Sequence, residues 1–251
     1  MLNQIHHGTP GGRPLIIVHG LYGSARNWGV IAKRLSDTRH VITVDQRNHG
    51  DSPRHDSHGY PEMAEDLAQV IAAHGGRADV VGHSMGGKAA MVLALAHPEM
   101  VGKLVVGDIA PVGYSHDQTQ YIDAMQAVDL SQVAKRADAT RQLAPRVADP
   151  VLQSFFTQSL DIAGQRWKLN LEVLKREMDK IVGFPEVSGQ FEGPTLFLSG
   201  ALSDYVLPEH RPAIRALFPK ARFARLAGAG HWLHAEKPRE FEASVRAFLD
   251  A

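Results

Sequence analysis

Residues 80–88 read Val-Val-Gly-His-Ser-Met-Gly-Gly-Lys, and this stretch restricts the possible folds more than any other. An apolar run enters a serine that has glycine two residues before it and two after it. Helix formers follow, Lys88-Ala89-Ala90-Met91-Val92-Leu93-Ala94. A side chain at position 82 or 86 would collide with neighbouring backbone if Ser84 stood at the tip of a very sharp turn. Gly-x-Ser-x-Gly between a strand and a helix is the pattern of a nucleophile elbow, which presents a serine hydroxyl above the end of a sheet. Such a turn needs a buried strand before it, a helix after it, and further strands alongside.

The rest of the chain supplies them. Residues 14–20 (PLIIVHG), 40–46 (HVITVDQ), 78–84 (ADVVGHS) and 103–111 (KLVVGDIAP) are apolar runs with no polar face. Between them, ARNWGVIAKRLSD, YPEMAEDLAQVIAAHG and KAAMVLALAHPEM carry apolar residues at helical spacing. Strand–helix alternation of this kind implies right-handed crossovers and a mostly parallel sheet flanked by helices on both faces. The alternation resumes near the carboxyl end, with strands expected at 193–200 and 221–228 and helices at PEHRPAIRALFP and KPREFEASVRAFLD. Residues 114–190 interrupt it. They hold no strand-like run and read as several amphipathic helices, such as TQYIDAMQAV, DPVLQSFFTQSL and WKLNLEVLKREMDKIV. The expected organisation is an α/β core of residues 1–113 and 191–251 with a helical cap, 114–190, inserted after the strand ending at Asp108. The cap is expected over the carboxyl ends of the strands, where open α/β sheets bind ligands.

Composition excludes several classes of function. The 251 residues carry 27 Lys plus Arg against 27 Asp plus Glu, so no broad attraction to nucleic acid or anionic membrane is expected. With no cysteine, thiolate catalysis and disulfides are excluded. The polar amino terminus does not read as a secretory signal, and no apolar run reaches the ~20 residues of a bilayer span. A cytoplasmic location is the expectation, as a monomer or small homo-oligomer. Fourteen histidines suggest metal, but the pairs at 6–7, 55–58 and 231–234 lack the spacing of zinc sites, so neither a metal nor any other cofactor is expected.

A serine hydroxyl is a weak nucleophile unless a base removes its proton. His231 is the candidate base. It follows a strand and the small-residue turn Gly228-Ala229-Gly230, which lets a loop pass close to other backbone. His234, three residues later, falls in the next helix.

Five strings together, VHGLYGS (18–24), VDQRNHGDSPR (44–54), GHSMGGK (82–88), DIAPVGY (108–114) and GAGHWLHAEKP (228–238), resemble the α/β-hydrolase family over essentially the whole chain. They are most similar to its small bacterial esterases and acyl-CoA thioesterases. The resemblance implies an α/β-hydrolase fold and a Ser84–His231–acid triad. Most of the family carries the acid after the strand TLFLSG, where Ser203 takes the usual place and Asp204 stands one residue late. The esterase branch instead has an aspartate at the end of the preceding strand, which here is Asp108. Asp108 is preferred, with Asp204 as the alternative acid. The resemblance also implies an oxyanion hole formed by the backbone N–H groups of Leu21 and Met85. Trp232, adjacent to His231, and Tyr22 are expected against the substrate.

The expected activity is hydrolysis of short- to medium-chain carboxylic esters or acyl-CoA thioesters through an acyl-enzyme, with a small-molecule ester or thioester as partner. Carbon–carbon bond hydrolysis, lactone opening and perhydrolysis use the same triad and stand as alternatives. Lys88, in the first turns of the elbow helix, could reach a negative group of the substrate, but it reads first as a solvated or salt-bridged lysine; Asp45, Arg47, Asn48 and His49 read as groups that fix a loop.

Overall fold

The apolar runs without a polar face become strands buried on both sides. In the computed structural model, which describes residues 1–115 and 118–251, the strands are β1 (Gln4–His7), β2 (Leu15–Val18), β3 (Val41–Val44), β4 (Ala78–His83), β5 (Val101–Gly107), β6 (Leu160–Asp161), β7 (Arg166–Trp167), β8 (Thr195–Gly200) and β9 (Ala221–Leu226). Seven form one sheet in the order β1-β3-β2-β4-β5-β8-β9. Every pairing in it is parallel except β1 with β3. Side chains alternate between two cores. Ile16, Val18, Ile42, Val80, Leu104 and Val106 point to one face, and Leu15, Ile17, Val41, Val81 and Val105 to the other.

Helices cover both faces. On one side lie α1 (Gly29–Leu35) and the carboxyl-terminal helix; on the other lie α2 (Tyr60–Ala73) and α3 (Met85–Ala96). The inserted region contributes α4 (Thr119–Gln126), α5 (Arg136–Leu143), α6 (Pro150–Thr157), α7 (Leu171–Arg176) and α8 (Met178–Val182). The chain closes with α9 (Arg211–Leu217), α10 (Leu233–Glu236) and α11 (Pro238–Asp250). Among the described residues, no helix is long and apolar enough to cross a membrane.

The structure differs from the sequence reading in two places. Gln4-Ile5-His6-His7 is a polar edge strand, held by antiparallel pairing with β3 rather than by apolar burial, so alternation of apolar residues gave no sign of it. The stretch from Trp167 to Val182, expected as one helix, is broken. Its start pairs with Leu160–Asp161 as a two-residue ribbon, and Asn170 donates through its backbone N–H to Asn48 O (2.9 Å) and through Nδ2 to Asn48 Oδ1 (3.0 Å). These bonds to a distant loop override the local helical spacing.

Strand order positions the site. The chain leaves β2 outward to β3 and returns to β4 on β2's other side, so the loops after β2 and β4 diverge from a switch point. Register then aligns the strand ends. Val18 lies opposite Gly82, and His83 opposite Gly107, so the loop after β2, Ser84 and Asp108 emerge side by side at one sheet edge.

Candidate active site

The elbow is as sharp as its glycines suggest. Ser84 takes φ 52° and ψ −122°, a backbone region that costs an ordinary residue about 1–3 kcal/mol and persists only where neighbours enforce it. A Cβ on Gly82 would stand 2.3 Å from Gly86 O, and one on Gly86 would stand 2.5 Å from His19 O. Helix α3 therefore starts almost in contact with both β4 and the loop after β2. Ser84 N–H donates to Gly107 O (2.9 Å), tying the turn to the end of β5.

Three side chains from separate segments join there. Asp108 is fully buried and adopts φ 51° directly after β5. Its carboxylate can only accept, so His231 Nδ1 carries the proton and donates to Asp108 Oδ2 at 2.8 Å. That leaves Nε2 as the acceptor, and Ser84 Oγ donates to it at 3.0 Å across 147 positions of sequence. Asp108 has two further donors, Gly200 N–H to Oδ1 (3.0 Å) and Ser203 Oγ–H to Oδ2. Buried away from water, its carboxyl oxygens need them. Asp204 is exposed, and His231 turns to Asp108 instead. Ser203, at the place where most of the family has its acid, thus binds the acid that stands elsewhere.

The loop His19–Gly23 crosses in front of Ser84; a Cβ on Gly20 would lie 3.3 Å from the serine's Cβ. Two buried neutral histidines fix it from below. Gln46 N–H donates to His19 Nε2 (2.9 Å), so His19 Nδ1–H donates to Gly20 O (2.8 Å). Tyr22 N–H donates to His49 Nε2 (3.2 Å), while His49 Nδ1–H donates to Arg47 O (3.0 Å). Burial lowers both imidazoles' pKa, His49 well below the ordinary value. The Leu21 and Met85 N–H groups make no hydrogen bond among the described residues, and both residues line the cavity above Ser84.

Behind His231, His83 Nε2–H donates to His231 O at 2.8 Å, and His234 stacks on Trp28 at 4.1 Å between ring centroids. Burial pushes His83 well below the usual imidazole range and His234 down to about 3, so both stay neutral. The loop after β3 is fixed as expected. Asp45 accepts from the N–H of Ala25 (2.7 Å) and Asp51 (2.9 Å), and Arg47 pairs with Asp66 (2.6 Å).

Ser84 and His231 open on a cavity of about 290 Å³. The inserted region provides Tyr121, Leu152, Phe155, Phe156, Ile181 and Val182 to its wall. Tyr22 and Trp232 line it, the Tyr22 hydroxyl donating to Gln118 O (2.8 Å). Leu152, Phe155 and Trp232 also border an outer groove of about 850 Å³, so the cavity continues toward the surface on that side. Trp28, Tyr114 and Phe156 line the cavity too, whereas Trp167 is buried elsewhere, with Nε1–H on Met125 O (3.0 Å).

Lys88 departs from its sequence reading. It is buried from solvent, and among the described residues it forms no salt bridge. It is 1% exposed, and Nζ donates to Val182 O (2.9 Å) and Gly183 O (2.5 Å) while lying 4.8 Å from the centre of the Tyr114 ring. Burial lowers its pKa to about 7. Helical spacing placed it on α3, but only the fold brings α8 over it. Sequence reasoning also left out the supporting roles of His19, His83 and Ser203. His83 and His19 adjoin the elbow and the first glycine motif, but their partners are remote in sequence.

No group of three or more His, Asp or Glu among the described residues is arranged to hold a metal ion. The arrangement can activate a serine hydroxyl beside two backbone donors. Residues 13–238 match the family described as alpha/beta hydrolase fold. The chain is 42% identical over 248 residues to the sn-1-specific diacylglycerol lipase ABHD11 of Mus musculus, covering 94% of this chain and 80% of that protein. It is 39% identical over 241 residues to Esterase YbfF of Escherichia coli strain K12, covering 94% of this chain and 93% of that one. A solved structure named "Marine microorganism esterase" superposes with a TM-score of 0.93 at 38% identity, covering 98% of each chain. With the sheet order, the elbow and these likenesses in agreement, the chain belongs to the α/β-hydrolase family.

Proposed function

We propose that this protein is a serine hydrolase of carboxylic esters, and of acyl thioesters of the same acyl size, working through an acyl-enzyme. The observation that carries the reading is the unbroken hydrogen-bond chain Ser84–His231–Asp108 at the floor of a largely apolar cavity. Ser84 Oγ attacks the acyl carbonyl as His231 Nε2 takes its proton. Asp108 keeps the ring in the tautomer that leaves Nε2 free to accept, and stabilises the imidazolium that forms. Negative charge developing on the carbonyl oxygen is met by the N–H groups of Leu21 and Met85, the second at the positive end of α3. The imidazolium returns its proton to the departing alcohol or thiol, and water repeats the sequence on the acyl-enzyme.

Ester chemistry is preferred over carbon–carbon bond hydrolysis, lactone opening and perhydrolysis because the relatives at 39–42% identity bear esterase and lipase names. Residues 114–190 serve as the cap that shapes the substrate cavity, since Leu152, Phe155, Phe156 and Ile181 stand in its wall opposite Ser84. Labelling with a fluorophosphonate, alongside p-nitrophenyl acetate, butyrate and octanoate turnover, tests the reading. Stoichiometric labelling and burst kinetics are expected in the native protein and neither in Ser84→Ala. Undiminished labelling of that variant would refute the assignment.

A further inference from the structure

The mechanism above leaves one buried ionisable group in the cavity wall unused. Lys88 sits one helical turn beyond Ser84 on α3, about 6 Å along the helix axis. It is 1% exposed, yet it lines the same cavity as Ser84 and His231. Two of its three possible N–H bonds go to Val182 O and Gly183 O, and the faces of Tyr60 and Tyr114 lie 5.8 and 4.8 Å away. Among the described residues no carboxylate pairs with it. An ammonium buried without a counter-ion costs stability, and an apolar side chain would fill the same space without that cost. Anchoring two carbonyls explains where the amine points, but not why the charge stands in the wall of a substrate cavity.

The cavity's two ends differ in kind. Toward Leu152, Phe155 and Trp232 it continues into the outer groove, so a leaving alcohol has an exit there. Toward Lys88 it is bounded by Tyr60, Tyr114, Ile181 and Val182. The Tyr60 hydroxyl is committed to Ile181 O (2.6 Å) and that of Tyr114 to Tyr205 O (2.7 Å). Lys88 is the one lysine or arginine among the described residues that line the cavity. Its charge is complementary to an anion at the far end of an acyl chain whose carbonyl lies at Ser84.

We propose that Lys88 is a specificity-determining residue that binds a carboxylate at the distal end of the substrate's acyl group, so that the preferred substrates are half-esters of short dicarboxylic acids. This rests on the ester-hydrolase reading and names the substrate class within it. The carboxylate takes the remaining ammonium N–H and supplies the missing counter-ion, while the ester carbonyl lies at Ser84.

The test is a matched series: monomethyl succinate, glutarate and adipate against methyl butanoate, pentanoate and hexanoate, with methanol release measured. The native enzyme is expected to favour the half-ester by about tenfold or more in kcat/KM for at least one chain length. Lys88→Met is expected to lower that ratio about tenfold, chiefly through KM. A purely structural lysine would shift both members of a pair together and leave the ratio unchanged, which would overturn the proposal. So would a native preference for the neutral ester at all three lengths. A second measurement needs no variant: glutarate should inhibit methyl pentanoate hydrolysis at least about tenfold more tightly than pentanoate does, and equal or weaker inhibition counts against the proposal. Turnover of neutral esters with an unmoved ratio sinks this inference alone, whereas no turnover of any of the six sinks the ester-hydrolase reading with it.

Discussion

The floor and the roof of the cavity are built differently. The floor consists of loops at the carboxyl ends of β2 to β5 and after β8 and β9. Buried polar groups pair with one another there: His19 with Gln46, His49 with Tyr22, His83 with His231, Asp108 with Gly200 and Ser203. The roof consists of helices of five to eight residues that meet the cavity through Leu152, Phe155, Phe156 and Ile181. Hydrogen bonds between buried groups are directional and expensive to leave unmade, so they fix positions to a fraction of an ångström. Apolar packing is tolerant of shape. On the function proposed above, the chemistry rests on the floor, and the roof shapes the apolar part of the acyl cavity while Lys88 of α3 reads the far end of the acyl group.

The sharpest way to break this comparison is at the floor's deepest charge. Asp108→Asn keeps the shape but no longer enforces the required tautomer of His231, and kcat should fall by about 10⁴. Asp204→Asn should change kcat/KM less than about twofold. Steady-state kinetics on one p-nitrophenyl ester decide between them, and a larger loss in the second variant would reverse the assignment of the acid.

Acid should unfold the floor before it challenges the roof. Residues 114–190 contain one histidine, His116, whereas His58 and His234, outside that region, are buried with pKa values lowered to about 3, mainly by desolvation. An unfolded imidazole titrates near 6.5, so between 6.5 and about 3 the unfolded chain binds protons that the folded one does not. Stability from these groups is complete above 6.5 and is lost as pH falls toward 3. At pH 5 the loss is about 2 kcal/mol for each of the two histidines. Urea unfolding at pH 7.5 and pH 5.0 measures it, and equal free energies at the two values would contradict the neutral assignment.

The roof should yield a smaller effect than the losses expected at Asp108 and in acid. Phe155 borders both the cavity and the outer groove, with its ring 6.3 Å from that of Trp232. Phe155→Ala should widen the passage and move relative kcat/KM toward longer acyl chains by about tenfold, with fluorophosphonate labelling of Ser84 retained. A uniform loss across chain lengths would mean that Phe155 supports the floor as well.

Much of the floor was legible in the sequence because its signals are local. Gly82 and Gly86 flank Ser84 at the spacing that a strained turn requires, and short β-branched apolar runs bounded by turn residues read as strands buried on both faces. His231 could be named because a small-residue turn after a strand delivers it. The acid was harder to read. Asp108 and Asp204 both follow strands, and only the position of the imidazole separates them. The roof was the least legible part. Amphipathic spacing indicated helices, but it did not reveal that Asn170 would break one by bonding to Asn48, nor which helices would face Ser84.

The sequence by itself determined the alternation of buried strands and helices, the elbow at Ser84 and the histidine that serves it, because glycine spacing and apolar periodicity act within a few residues of chain. Only the tertiary structure decided that Asp108 rather than Asp204 meets His231, that Ser203 supports the acid, and that Lys88 is sealed beneath α8 with no carboxylate partner among the described residues. Each of those facts is a contact between groups dozens to more than a hundred positions apart, and long-range register and packing, not local propensity, set such contacts.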